Sequence, residues 1–167
     1  MLKMIRSATP EDAARIVSIH NHYVENTIVT FEEAAVSDSE MRTRITQRPA
    51  SCPWLVAEID KAILGYAYAA PWSGRIGYKT SVETTVYVAK DHLKAGIGIE
   101  LYRSLIDQLK SEEFHCAVGV IALPNPGSVL LHEKLGFRQV GELQEIGRKL
   151  GRWVDVGFWQ LFLQDAD

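Results

Sequence analysis

The sequence predicts an α/β domain in which one mixed β-sheet is flanked by helices. Its 167 residues are about the length of one domain, and 47% of them are hydrophobic against 23% charged, which is typical of a packed globule. Segments with the two-residue period of strands occur between segments with the period of helices. Their order along the chain, β-α-α-β-β-β-α-β-α-β-β, indicates a mixed sheet. We therefore expect residues 1–167 to form a single domain.

Two helices and three strands are predicted in the first half of the chain. Thr9 and Pro10 are typical of the cap and the first position of a helix. Asp60 and Lys61 fit the turn of a hairpin between two apolar segments. The expected boundaries are strands over residues 2–6, Trp54–Ile59 and Ala62–Ala70, and helices from Thr9 to near Asn26 and from Ser37 or Asp38 to just before Pro49.

The second half of the chain begins with a strand whose two faces differ. Residues Thr80–Val88 are rich in β-branched side chains, with Ser81, Glu83, Thr85 and Tyr87 on one face and Val82, Thr84, Val86 and Val88 on the other. Apolar residues then repeat every four positions along a helix over about 97–112. The other expected elements are a buried strand over Cys116–Ala122, a short helix over Ser128–Leu135 closed by Gly136, and strands over 137–146 and 153–163.

The charge and the apolar segments exclude several classes of protein. The net charge is −3, the pI is near 6.0 and no run of Lys or Arg occurs, so we expect no nucleic-acid partner and no membrane partner. The first residues lack the apolar core of a signal peptide, and no segment has the apolar length of a membrane helix. The chain is therefore expected to be cytoplasmic, with a small molecule as its partner.

Neither the cysteines nor the histidines have the spacing of a metal site. Cys52 and Cys116 are far apart in the sequence and are interpreted as packing residues of a reducing compartment. His20 and His22 are two residues apart on a predicted helix, about 200° around its axis, so they cannot share a metal ion. We expect no metal.

The region after the Thr80–Val88 strand has the features of a phosphate-binding loop. Gly96 and Gly98 lie in Lys94–Gly98, between the strand and the next helix. Glycines let backbone N–H groups approach an anion, and a helix N-terminus adds unpaired donors and the positive end of the helix dipole. The segment lacks the Gly-Lys-Ser/Thr of a Walker loop and the third glycine of the dinucleotide fingerprint. Spacing alone leaves open a loop whose glycines serve only a turn.

Two motifs resemble those of the GNAT acetyltransferase superfamily. His92–Gly98 resembles its motif A, with Leu93 where the family usually has Gln or Arg, and Asn125–Phe137 resembles its second cofactor motif. Further similarity along nearly the whole chain, for example in Val82–Val88 and Asp155–Gln160, is to the phosphinothricin and methionine sulfoximine acetyltransferases. The resemblance implies the GNAT fold, a seven-stranded mixed sheet whose strands four and five splay apart, and a homodimer.

The resemblance also implies a site for acetyl-CoA as co-substrate. The pantetheine arm is expected in the gap between strands four and five, and the pyrophosphate at the backbone of the glycine loop. Leu93 still supplies its backbone N–H, so this departure limits the loop to backbone contacts. The residues expected at the cofactor are Val86, Tyr87, Val88, Lys94, Ala95, Gly96, Ile97, Gly98, Ile99, Asn125 and Ser128.

Two side chains are expected to move protons during transfer of an acetyl group to an amine. Glu83 stands where the family has its catalytic glutamate. A free glutamate has a pKa of about 4.3, so its action as a base requires burial or a relaying water. His132 occupies the aromatic-or-histidine position of the second motif. For His132, proton donation, proton acceptance and packing against the cofactor all stay open.

The expected acceptor is the α-amine of a small amino acid resembling phosphinothricin or methionine sulfoximine, acetylated by direct transfer. The guanidinium of Arg75 suits a carboxylate, and Phe31 and Tyr78 resemble pocket walls. The chain departs from close relatives at Thr30–Glu32, where they often have Asn-Phe-Arg, which bears on the substrate and not on the reaction. Polyamines, aminoglycosides and protein N-termini are alternative acceptors. A non-catalytic acyl-CoA-binding sensor is the alternative from a different class.

Overall fold

The computed structural model describes residues 3–164. The strands within this range are β1 (Lys3–Ser7), β2 (Trp54–Ile59), β3 (Ala62–Pro71), β4 (Ser81–Val88), β5 (Cys116–Leu123), β6 (Arg138–Lys149) and β7 (Arg152–Phe162). The α-helices are α1 (Ala13–Asn26), α2 (Asp38–Thr46), α3 (Ile97–Ser111) and α4 (Pro126–Lys134). Every element expected from the sequence is present in the expected order.

The strands form one seven-stranded sheet in the order β1-β2-β3-β4-β5-β7-β6. β4 and β5 are parallel, and the other neighbouring strands are antiparallel. The parallel pair is joined by α3, as a parallel connection requires. The predicted mixed sheet is therefore confirmed.

β4 and β5 pair over only a short distance. Their register contains three residue pairs, Ser81 with Cys116, Val82 with Ala117 and Glu83 with Val118. Beyond Glu83 the two strands diverge, although β4 continues to Val88 paired with β3. This divergence is the splay between strands four and five that the family resemblance implied.

Helices cover both faces of the sheet. Leu101, Leu105 and Leu109 of α3 are fully buried against one face, where α4 also packs. Ile16 of α1 and Met41 of α2 are buried against the other face. These two faces are called the α3 face and the α1 face below. None of the helices in the described part of the chain is both long and apolar enough to cross a membrane.

The structure shifts several expected boundaries. α4 begins at Pro126, two residues before the expected start, because the Asn125 side chain caps the helix and proline suits its first position. β6 ends three residues later than expected, at Lys149, and β7 begins one residue earlier, at Arg152, since both strands continue into a tight turn at Leu150 and Gly151, which have left-handed backbone. The expected first strand included Leu2, which lies outside the described residues.

Candidate active site

A cavity of about 650 Å³ lies between β4 and β5 where the strands diverge. Its walls come from the second half of β4, the loop before α3, the second half of β5 and the first turns of α4. Of the residues expected at the cofactor, those that line the cavity are Val86, Tyr87, Val88, Lys94, Gly96, Ile97, Gly98, Ile99, Asn125 and Ser128. Ala95 is exposed between two left-handed residues and does not line it.

The loop before α3 presents its backbone at one end of the cavity. Lys94 and Gly96 both have left-handed backbone, with φ of 65° and 80°. Glycine adopts this conformation without steric cost, which explains its presence at 96. Gly96 immediately precedes α3, so the N–H groups of the first turn have no partner within the helix. Such a turn attracts an anion through its donors and the helix dipole.

The backbone of both diverging strands also points into the gap. Trp72 N–H donates to Ser81 O and Ala89 N–H donates to Leu64 O, so the odd-numbered residues of β4 are bonded to β3. By alternation, the even-numbered residues, including Val86 and Val88, direct N–H and C=O towards β5. β5 likewise directs its even-numbered residues towards β4, because His115 accepts from Leu163. The gap therefore has backbone donors and acceptors on both sides.

Asn125 and Ser128 form the cap of α4. Asn125 Oδ1 accepts from the Ser128 N–H at 3.1 Å. The NH₂ group of Asn125 takes no part in this cap, and the residue lines the cavity. Asn125 thus combines a structural role with a free donor at the gap.

His132 lies buried at the inner end of the cavity, with 4% of its surface exposed. Nδ1 is 2.8 Å from the Ser128 carbonyl oxygen, which can only accept, so Nδ1 carries the hydrogen. Burial lowers the pKa of His132, so the ring is neutral and Nε2 is an acceptor. Nε2 is 2.9 Å from the hydroxyl of Tyr102, which must therefore be the donor.

Tyr102 joins His132 to β4. Its hydroxyl is 2.6 Å from Thr84 Oγ1, and all three side chains are buried. Burial raises the pKa of Tyr102, which keeps the phenol protonated. A side chain at Gly119 would displace His132, because an added Cβ would lie 2.3 Å from Nε2. The network therefore connects α3, α4, β4 and β5 at the point where the strands separate.

Glu83 is the last residue of β4 that pairs with β5, and it lies at the base of the gap. Its side chain lies on the α1 face with Thr85 and Tyr87, as the alternation of the strand predicts. It is half-buried, and burial raises its pKa; no charged or hydrogen-bonding neighbour among residues 3–164 offsets that effect. A carboxylate in this setting holds a proton more readily than an exposed one.

Of the three expected substrate residues, Arg75 and Tyr78 share one loop, where Tyr78 N–H donates to Arg75 O, and Phe31 lies on a different segment. Phe31 is 40% exposed in the segment between α1 and α2, and its ring packs on Gly147 of β6. Arg75 is exposed on the loop that precedes β4, at the opposite end of that strand from the glycine loop. Tyr78, on the same loop, lines a second cavity of about 380 Å³ over β5 and β7.

Sequence reasoning missed several residues of this site. Tyr102 and Thr84 carry the hydrogen-bond network, but a tyrosine in an apolar helix face and a threonine in a strand are ordinary core residues by pattern. Tyr23 of α1 lines the cavity and donates to the Val88 carbonyl. For Thr84, the sequence pattern offered one indication. Alternation along β4 places Thr84 on the same face as Val86, which is the face where α3 packs.

Within residues 3–164, no three His, Cys, Asp or Glu side chains come together as a metal site.

Comparison with known proteins gives the same assignment from sequence and from structure. The family model of the Acetyltransferase (GNAT) domain matches residues 5–157. The chain is 42% identical over 156 residues to a phosphinothricin N-acetyltransferase of Streptomyces viridochromogenes, covering 93% of this chain and 85% of that protein. It is 35% identical over 166 residues to an L-methionine sulfoximine/L-methionine sulfone acetyltransferase of Pseudomonas aeruginosa, covering 98% and 96%.

A solved structure shows the same fold. YncA from Salmonella typhimurium, determined with its cofactor acetyl-CoA, superimposes with a TM-score of 0.96 at 32% identity, over 100% of this chain and 97% of that one. The splayed strands, the glycine loop and these similarities lead to one conclusion: the chain belongs to the GNAT acetyltransferase family.

Proposed function

We propose that this protein transfers the acetyl group of acetyl-CoA directly to the α-amine of a small amino acid. The observation that carries this proposal is the cavity that runs from the glycine loop along the gap between β4 and β5 as far as Thr84, the residue next to Glu83. The relatives named above acetylate phosphinothricin or methionine sulfoximine, which are small amino acids. We infer the same substrate class for this chain.

The residues of the gap suit coenzyme A. The unpaired amides at the start of α3 fit a pyrophosphate, and the side chain of Leu93 is not needed for that contact. The gap-facing N–H and C=O groups of Val86 and Val88, with the NH₂ of Asn125, fit the amide groups of a pantetheine arm. The coenzyme supplies the acetyl group as a thioester. The N–H of Val86 is our candidate donor to the oxygen that becomes negative during transfer.

Glu83 is proposed as the base. An amino acid at neutral pH carries an ammonium group, which must lose a proton before its nitrogen can attack. Burial raises the pKa of Glu83, so its carboxylate accepts that proton more readily than an exposed glutamate, directly or through one water.

We assign His132 an assisting role that depends on Tyr102. The neutral ring accepts from the Tyr102 hydroxyl, so it has no proton of its own on Nε2 to donate. Instead, the hydroxyl proton of Tyr102 on α3 is shared in a hydrogen bond with Nε2 of His132 on α4, at the inner end of the gap. This arrangement favours His132 as an acceptor and orienting group over His132 as a direct acid.

The acceptor is proposed to bind on the α1 face, beside Glu83. Arg75 is the candidate partner of its carboxylate, because guanidinium and carboxylate match in geometry. Phe31 and Tyr78 are the candidate walls. Arg75 and Lys79, on the loop before β4, are positively charged and would repel cationic substrates such as polyamines and aminoglycosides.

The protein is also proposed to be a homodimer. Apolar side chains that are about half exposed follow the β6–β7 hairpin at the edge of the sheet: Val140, Leu143, Ile146, Leu150 and Trp153. A long edge strand with an exposed apolar surface is typical of an interface. A second copy is the occupant that the family resemblance implies.

An amine panel tests the proposed reaction. Release of free thiol from acetyl-CoA should be strong with amino acids such as methionine sulfone, methionine sulfoximine and phosphinothricin. Turnover with cationic amines and none with amino acids would refute the substrate class. Tight acetyl-CoA binding measured by calorimetry, without turnover on any amine, would identify the protein as a sensor instead.

A further inference from the structure

The segment between α1 and α2 covers the gap from the α1 face. Ile28 packs with Ala122 of β5 and Val154 of β7, and Val29 lines the cavity between β4 and β5. The next residue, Thr30, has its side chain beside the phenol of Tyr87 on β4. The segment therefore contacts both diverging strands on the side where Glu83 lies, and Phe31 follows Thr30 in it.

The carboxylate of Glu32 binds this segment to α1 and α2. Arg44 of α2 binds it with two parallel hydrogen bonds, Nη1 to Oε1 at 2.9 Å and Nη2 to Oε2 at 3.0 Å. Nε2 of the buried His20 of α1 lies 3.1 Å from Oε1, and Tyr66 holds the other ring nitrogen of His20 at 2.8 Å. The Arg44 guanidinium holds the pKa of Glu32 below its usual range, so the carboxylate is charged.

The backbone of the same residue is fastened to the β6–β7 hairpin. Lys149, at the end of β6, is only 4% exposed, and its Nζ donates to the carbonyl oxygen of Glu32. Phe31 packs directly on the backbone of Gly147, where an added Cβ would lie 2.2 Å from the ring. Burial of an ammonium group costs free energy unless the group is paired. Lys149 is paired with the carbonyl oxygen of Glu32, and this contact fixes the position of the segment.

We propose that Glu32 and Lys149 are positioning residues for the amino-acid site, which hold Phe31 over the α1 face of the gap. This inference rests on the proposed function, because it takes Phe31 as a wall of that site. An irregular segment gains little order from its own backbone, and ordering it costs about 1–2 kcal/mol per residue. The contacts of Glu32 and Lys149 supply that order before the substrate binds, which improves affinity for the acceptor.

The substitutions Glu32→Gln and Lys149→Met test the inference. Each should raise KM for the best amino-acid substrate about tenfold, since small misplacements of a positioning group are costly, while KM for acetyl-CoA stays unchanged. Hydrogen exchange of the amides of residues 28–33 should become faster in both variants, as measured by mass spectrometry. Glu32→Asp should recover part of the affinity, because it restores the charge opposite Arg44.

Two matched controls separate positioning from general destabilisation. Glu40→Gln removes another carboxylate bound to Arg44, but Glu40 lies within α2, and its contact with the segment is a backbone N–H donated to Ser37, which the substitution keeps. Arg148→Met removes the cation next to Lys149 on β6, whose guanidinium lies over the Trp153 ring. Both controls should keep the wild-type KM for the amino acid and the wild-type exchange of residues 28–33.

The outcomes distinguish the two proposals. If wild-type protein acetylates no amino acid, the proposed function is wrong, whatever the variants do. If wild-type protein turns over and the two variants keep its KM for the amino acid, the positioning role is wrong, even if exchange becomes faster. Equal increases of both KM values, or increases that follow a lower Tm, would also overturn it, because they indicate loss of the fold.

Discussion

The side chains of Glu83, His132 and Tyr102 differ in their exposure to solvent. Glu83 is half-buried without a partner among the described residues, whereas His132 and Tyr102 are buried and bound to each other. The same desolvation raises the pKa of the acid and lowers the pKa of the imidazole, so both groups favour their neutral forms. Glu83 and His132 could be found from the sequence through motifs. Tyr102 could not, because only the fold brings α3 to α4.

Replacement of Glu83 by Gln should lower kcat by about 100-fold or more, because the amine then loses its proton only to solvent. Steady-state kinetics with the best amino acid measure this. The Kd for acetyl-CoA should be unchanged, since Glu83 lies on the α1 face, away from the glycine loop. Wild-type rates in the variant across pH 6–9 would remove Glu83 from the mechanism.

The pH profile should show where Glu83 titrates. A base works only when deprotonated, and its pKa is raised, so kcat/KM should begin to fall at a higher pH than the ordinary glutamate value of about 4.3. Loss of the proton from the substrate's ammonium group should give a second change in kcat/KM, the upper limb of the profile, at higher pH. Glu83→Gln should lose the lower limb and keep the upper one. A lower limb that persists in the variant would belong to another group.

Replacement of Tyr102 by Phe should raise the pKa of His132. The Tyr102 hydroxyl donates to Nε2 and so stabilises the neutral ring; without that donor, protonation becomes easier. Nitrogen chemical shifts of the imidazole followed by NMR against pH report this change. Tyr66→Phe is a matched control, because it removes a hydroxyl bound to the buried His20 instead. An unchanged His132 titration would show that the network does not set its protonation.

Among the elements, the strand-loop-helix unit from β4 to α3 was predicted almost residue by residue. Alternation placed Glu83 on the α1 face, and the two glycines placed the turn. The start of α4 was predicted two residues late, although Asn125 before Pro126 also fitted a helix cap by sequence, and the structure shows that cap. The contacts that fix Phe31 could not be predicted, since Lys149 and Glu32 are 117 residues apart in the sequence.

Replacement of Gly96 by Asp should abolish coenzyme A binding measured by calorimetry. The variant puts a side chain on a left-handed residue and a negative charge where the helix dipole attracts an anion. Gly74→Asp adds the same charge to an exposed loop whose glycine has no close neighbour, and its affinity should match wild type. Wild-type affinity in the Gly96 variant would exclude the loop from the cofactor site.

At the scale of the whole molecule, the mixed sheet could be predicted from the order of the segments, and the splay of its strands from the family resemblance. Composition and periodicity do not show where two parallel strands part, because the divergence depends on how α3 and α4 pack on one face. Assembly belongs to this scale as well. The apolar side chains along the β6–β7 hairpin are about half exposed, as expected for a surface that meets a second chain.

Sedimentation should show a dimer for wild-type protein at micromolar concentration. Ile146→Glu should shift the equilibrium towards the monomer, because it places a charge in the apolar surface of the hairpin. Glu142→Gln, on the same strand, should leave the dimer intact. A wild-type protein that sediments as a monomer would refute the proposed assembly.

The short pairing of β4 with β5 also has a mechanical consequence. Within residues 3–164, the strand pairing between the half-sheet β1–β4 and the half-sheet β5–β7 consists of three residue pairs. A ligand bonded to both open edges would continue that pairing along the full length of β4. The stiffness of the molecule is then set in large part by what occupies the gap, and thermal fluctuations that bend one half-sheet against the other should be damped by the coenzyme more than by the acceptor.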